Sequence, residues 1–161
     1  REAYEIFRTG GLAASELAAF LGQQFPDKIE RLDPVVRARV NWAEQVSSVE
    51  YLRRKSVLNR CGAGATQVFR DYDVLLSPTI AITPPRLADV KDVATYGPTN
   101  IMAMRNTAMS NLFGWCALTM PVGLDAHRMP VGLQLMGPPR SEERLIEIGS
   151  RRHAPSAERA R

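Results

Sequence analysis

Two short apolar runs, Ala117 to Val122 and Val131 to Met136, flank the segment Gly123-Leu124-Asp125-Ala126-His127-Arg128-Met129-Pro130. Runs of that length suit strands, and the Gly, Asp and Pro between them demand a change of chain direction. The spacing permits the two strands to pair as a hairpin. A third run, Val74-Leu75-Leu76, is stopped by Ser77-Pro78-Thr79 and reads as a fully buried strand delivering a loop at its end. An average sheet has about five or six strands, so three apolar runs need partners that this chain does not supply.

The preceding 72 residues read as helices. The stretch EAYEIFR looks helical from the first residue, Arg1, which predicts that the chain begins inside a longer reading frame. Ala, Leu and Phe recur at helical intervals in SELAAFLGQQF, with Ser15 as the expected cap and Pro26 marking the exit. Asp33-Pro34 opens a second helix to about Val46, because Asp accepts orphan amide hydrogens and Pro suits the first helical position. Ser47 and Glu50, three apart, predict a capping box before a helix running to about Asp71. Gly62 and Gly64 weaken its middle and predict a kink or a closely packed neighbour.

Pro78, Pro84, Pro85 and Pro98 punctuate an irregular surface excursion from Ile80 to Pro98. Thr99 to Gly114 has helical spacing, and Gly114 suits a left-handed closure. Ser141-Glu142-Glu143-Arg144 opens a last helix, followed by an arginine-rich end. The order predicts an α/β architecture, a mixed sheet flanked by helices with a helical amino-terminal third, in one domain over 1–161: helical over 1–72, sheet and helices over 73–150, and a basic tail over 151–161.

Charge excludes little but narrows the partners. The 161 residues carry 21 basic and 17 acidic side chains, net +4, and the tail supplies +3 of it through Arg151, Arg152, Arg159 and Arg161 against Glu158. The rest is nearly neutral, so a basic nucleic-acid footprint is not expected. No apolar stretch reaches the ~18 residues of a membrane span. Cys61 and Cys116, without CxxC spacing, read as reduced thiols in a cytoplasmic protein.

Candidate chemistry is sparse. His127 lies in a turn and His153 in the arginine-rich tail, so neither suits a Ser-His-Asp triad. Cys116, between Trp115 and Ala117, reads as a small buried apolar residue. No spacing of His, Cys, Asp and Glu converges on a metal site, and no GxGxxG or GxxxxGK[ST] loop cradles phosphate.

Two blocks do carry a pattern: RNTAMSNLFGWCALTMPVG over Arg105 to Gly123, and MPVGLQLMGP over Met129 to Pro138. With DVLLSPT over Asp73 to Thr79 before them, they resemble, in order and spacing, the late part of the amidase-signature family. The resemblance covers about residues 48 to 150. It implies a partial amidase-signature fold and, for the parent protein, hydrolysis of a carboxamide C–N bond without metal or organic cofactor. In that family a serine nucleophile, a second serine in a cis peptide and a lysine act together, with backbone amides of a Gly-rich loop meeting the oxyanion. Those parts precede the region matched here. Lys28, Lys55, Lys91 and the pair Ser47-Ser48 do not match the motif, so no catalytic residue is carried over.

What the resemblance does carry over is a pocket. Thr107 and Ser110 resemble inward residues of the helix lining the acyl side, and Ser77 and Thr79 approach the same cavity. Met104 stands where the glutamine-dependent amidotransferase branch tends to place an acidic residue, which disfavours that branch. With Met109 and Trp115 it implies an apolar or aromatic amide. The expectation is thus the carboxy-terminal part of an amidase, inactive alone, taking a small-molecule amide in the complete enzyme and associating with the missing amino-terminal part or a second copy. The alternative is a non-catalytic binding module offering its unpaired sheet edge to a partner.

Overall fold

The computed structural model describes residues 1–153. Its first third is helical: α1 Glu2–Arg8, α2 Ala13–Gln24, a 3-10 turn at Pro26–Arg31, α3 Pro34–Ala43 and α4 Ser48–Ala65, which continues into a 3-10 turn over Thr66–Arg70. Asp33 caps α3 as expected, its carboxylate accepting from Val35 N at 2.9 Å. The helix stops at Ala43 instead of Val46, where turns close on the carbonyls of Trp42 and Ala43. Ser15 caps nothing: α2 starts at Ala13, two residues before it.

Half of the expected capping box at α4 forms. Ser47 Oγ accepts from Glu50 N at 3.1 Å. The Glu50 carboxylate does not return the bond, because Arg53 and Arg54 hold it at 2.7 Å each. Gly62 supplies the predicted close neighbour, since a Cβ there would lie 3.4 Å from Phe113; at Gly64 it would meet nothing within 4 Å.

The chain then enters β1 Leu75–Pro78, a 3-10 turn at Leu87–Asp89, α5 Val93–Phe113, β2 Cys116–Leu124, β3 Pro130–Gly137 and α6 Glu142–His153. The helix α5 begins six residues before the expected Thr99. Asp92 and Thr95 cap each other reciprocally, with Asp92 Oδ1 accepting from Thr95 N at 2.9 Å, and this start outweighs Pro98 inside the helix. Pro98 deprives only Ala94 of its helical donor, and Ala94 is exposed, so its carbonyl is open to solvent. Gly114 closes the helix at φ 66°.

The sheet order is β1-β3-β2, with both pairings antiparallel. The hairpin of β2 and β3 forms as expected, with a register shift between Pro121 and Gly123. Asp125 organises its turn, accepting from His127 N at 2.8 Å and Met129 N at 2.9 Å, with the Thr83 hydroxyl on its other oxygen. Those bonds, Met129's first, hold the Asp125 carboxyl below its ordinary range. His127 stays exposed; His153 and the tail residues 154–161 lie outside the described side chains. The expectation of a fully buried β1 is corrected: Leu76 is 56% exposed, because β1 is an edge strand and its residues alternate between half-buried and exposed.

Two cores result. Ala3, Ile6, Val57 and Leu58 pack α1 on α4, with Leu112 and Phe113 of α5 against them. Met120, Leu135 and Leu145 pack α6 on the sheet. Strand alternation sends neighbouring residues of β3 to opposite sides: Leu135 meets the α6 core, while Gln134 bonds Ser110 of α5. No helix among the described residues is long and apolar enough to cross a membrane.

Candidate functional site

The register puts Ser77 opposite Gln134 and Gln134 opposite Thr119, so the three form one polar row across the sheet face that meets α5. Gln134, only 1% exposed, donates from Nε2 to Ser110 Oγ at 3.1 Å. Two buried polar atoms of this row, Ser77 Oγ and Gln134 Oε1, have no hydrogen-bond partner among the described residues. A buried polar atom without a partner is costly, and one beside a cavity is a natural contact for a bound molecule or water.

Ser77 lies in such a cavity. A groove of about 600 Å³ is lined by Tyr4, Ser77, Arg105, Asn106, Met109, Phe113, Trp115 and Met136. Asn106 Nδ2 donates to Pro78 O at 2.7 Å and ties α5 to the end of β1. Trp115 is fixed by its indole N–H, which donates to Thr66 Oγ1 at 2.8 Å, and by edge contacts with Phe69 and Phe113 at 4.9 and 5.2 Å. The groove therefore has a rigid apolar wall and one guanidinium.

The residues expected to line a single pocket are spread over several places. Ser77 is in the groove just described, and Met104 is in another, of about 460 Å³, between α1, α3 and α5. Ser110 is consumed by Gln134, and Thr107 Oγ1 donates to Met104 O of its own helix at 3.2 Å. Thr79 Oγ1 lies 3.2 Å from Thr119 Oγ1 at the far end of the row. Reading the sequence missed Tyr4, Arg105 and Asn106. Arg105 had a signal, standing four and eight residues before Met109 and Phe113 on one helix face; Tyr4, some hundred positions from the groove's other helix, had none. Cys116 is half-buried, and its sulfur accepts from Ser141 N at 3.3 Å, a packing role. No group of three or more potential metal ligands occurs among the described residues.

Comparison with known proteins places this geometry. The Amidase family model matches residues 16–146, and the chain belongs to the amidase family. It is 76% identical over 147 residues to a 2-amino-5-chloromuconic acid deaminase of Comamonas testosteroni, covering 91% of this chain and 32% of that protein. It is 32% identical over 108 residues to a fatty acid amide hydrolase of Arabidopsis thaliana, covering 65% of the chain and 18% of that protein. An amidase crystal structure superimposes with a TM-score of 0.75 at 21% identity, over 91% of this chain and 34% of the other. A 6-aminohexanoate cyclic dimer hydrolase follows the same fold with a TM-score of 0.65 at 18% identity, over 75% and 27%. The chain thus spans about a third of the length of the deaminase it matches.

Proposed function

We propose that this chain is the carboxy-terminal portion of an amidase-family hydrolase that removes the amino group of an unsaturated amino-dicarboxylic acid as ammonia. The 76% identity to a protein named as a 2-amino-5-chloromuconic acid deaminase carries the reading. A muconic acid has a carboxyl group at each end of a conjugated carbon chain, and its 2-amino form is an enamine. In hydrolytic deamination water replaces that amino group: one C–N bond breaks, one C–O bond forms, ammonia leaves, and no electrons are gained or lost.

The serine nucleophile, the serine in a cis peptide and the lysine belong, on this reading, to the part that precedes these residues. What this chain contributes is the polar row, the helix α5 pinned over it, and the apolar wall of the groove. Without the nucleophile and its oxyanion donors the chain alone has no turnover.

A second reading, hydrolysis of a neutral carboxamide, is supported by the family model and by relatives named as amide hydrolases, the Arabidopsis protein among them. Ammonia release by the full-length protein, measured with a 2-aminomuconate and with a panel of uncharged carboxamides, separates the two. Preference for the amino acid supports deamination; turnover of the carboxamides alone overturns it. A full-length protein releasing ammonia from neither is the outcome of a non-catalytic module.

A further inference from the structure

Resting on the amino-dicarboxylic acid reading above, we propose that Arg105 receives a carboxylate of the substrate and sets the preference for a charged over a neutral molecule. Arg105, Met109 and Phe113 recur at four-residue intervals on one face of α5, so the guanidinium stands at one end of an otherwise apolar stripe. Trp115, Met136 and Ser77 line the same groove, Trp115 packing edge-on against Phe113 at 5.2 Å.

The donors of this groove divide into committed and free. Asn106 is committed to the Pro78 carbonyl at 2.7 Å, and the Trp115 indole to Thr66. Arg105 has no carboxylate within 4.0 Å among the described residues. Its only side-chain partner is Asn106 Oδ1, at a long 3.4 Å from Nε. The Ser77 hydroxyl is buried and has no hydrogen-bond partner among the described residues. The two terminal nitrogens of an unpaired guanidinium match the two oxygens of a carboxylate, and the apolar wall matches a conjugated carbon chain.

Arg8 and Arg39 are the competing cations, since both line the groove between α1, α3 and α5. Arg8 is paired with Glu5 at 3.2 Å, while Arg39, like Arg105, has no carboxylate within 4.0 Å among the described residues. What distinguishes Arg105 is its groove, whose apolar stripe of Met109 and Phe113 adjoins Ser77 with its unpartnered hydroxyl, whereas no buried polar atom of the other groove lacks a partner among the described residues.

The test is calorimetric binding by the full-length protein of cis,cis-muconate, an unreactive diacid, and of its dimethyl ester. Wild type is expected to bind the diacid at least about tenfold more tightly than the diester, the scale of one hydrogen bond to a charged group. Arg105→Gln is expected to erase that preference by weakening the diacid alone, Arg105→Lys to keep part of it, and Arg39→Gln to behave as wild type. A wild-type protein that binds both equally, an Arg105→Gln variant that keeps the preference, or an Arg39→Gln variant that loses it overturns the proposal. The readout is independent of turnover: ammonia release from a 2-aminomuconate by a protein whose diacid binding does not depend on Arg105 would sink this assignment and leave the deaminase reading standing.

Discussion

Gln134, in the central strand, donates its side-chain amide to the hydroxyl of Ser110 in α5 at 3.1 Å, and both residues are at most 2% exposed. This bond crosses between the helix and the polar row of the sheet, so it sets the height of α5 above Ser77 and hence the shape of the groove.

Ser110→Ala removes the acceptor and strands the Gln134 amide in a buried site, at a cost of about 1–3 kcal/mol. The Gln134 Oε1 already lacks a partner, so adding Gln134→Leu to Ser110→Ala is expected to recover part of that loss. Denaturant unfolding of the two single variants and the double variant measures the coupling; additive losses would contradict it.

Arg54 joins α4 to the turn between α1 and α2. Its Nε donates to Glu50 Oε1 at 2.7 Å, and its Nη1 to the carbonyls of Thr9 and Gly11 at 2.9 and 3.1 Å. Arg54→Met keeps much of the apolar stem but leaves two carbonyls without a donor, and a loss of about 2–3 kcal/mol is expected in urea unfolding.

Glu50 gives the pH dependence its sign. Hydrogen bonds from Arg53 and then Arg54 lower its pKa from 4.5 to about 2. A depressed carboxyl contributes stability that is fully present above the unfolded value and is lost as pH falls through the folded one. The chain is therefore expected to lose stability between pH 4.5 and about 2, and Glu50→Gln to flatten that segment of a stability-against-pH curve. Identical slopes in the two proteins would count against the pairing.

The two glycines of α4 should respond oppositely. Gly64→Ala meets no atom within 4 Å and gains about 0.5–1 kcal/mol of helix propensity. Gly62→Leu drives a side chain into Phe113 and costs about 1–3 kcal/mol. Thermal melts of the pair decide it.

Local rules made much of the fold legible. Asp33-Pro34, Ser47 and Gly114 each act through atoms two or three residues away, and each opens or closes its helix as its chemistry dictates. Pro98 misled because a proline reads as a breaker, whereas the Asp92–Thr95 cap upstream decides where α5 begins. Glu50 misled in the same way: a carboxylate three residues after Ser47 has a capping role open to it, and two arginines of the following turn outcompete the lone amide. The strand order β1-β3-β2 and the approach of Tyr4 to Ser77, Arg105 and Trp115 depend on long-range packing, which no periodicity encodes. Only the resemblance of the two late blocks pointed toward a pocket, and it gave helix positions without saying which side chains their own neighbours would consume, as Gln134 does Ser110.

On the proposed reading, these residues frame a pocket while the nucleophile lies elsewhere in the protein. A fluorophosphonate probe, which traps an activated serine hydroxyl as a covalent adduct, tests it on the full-length protein when the labelled peptide is mapped by mass spectrometry. The account predicts one modified serine outside the sequence from Arg1 to Arg161; an adduct on Ser77, Ser110 or any other serine within it would contradict the account.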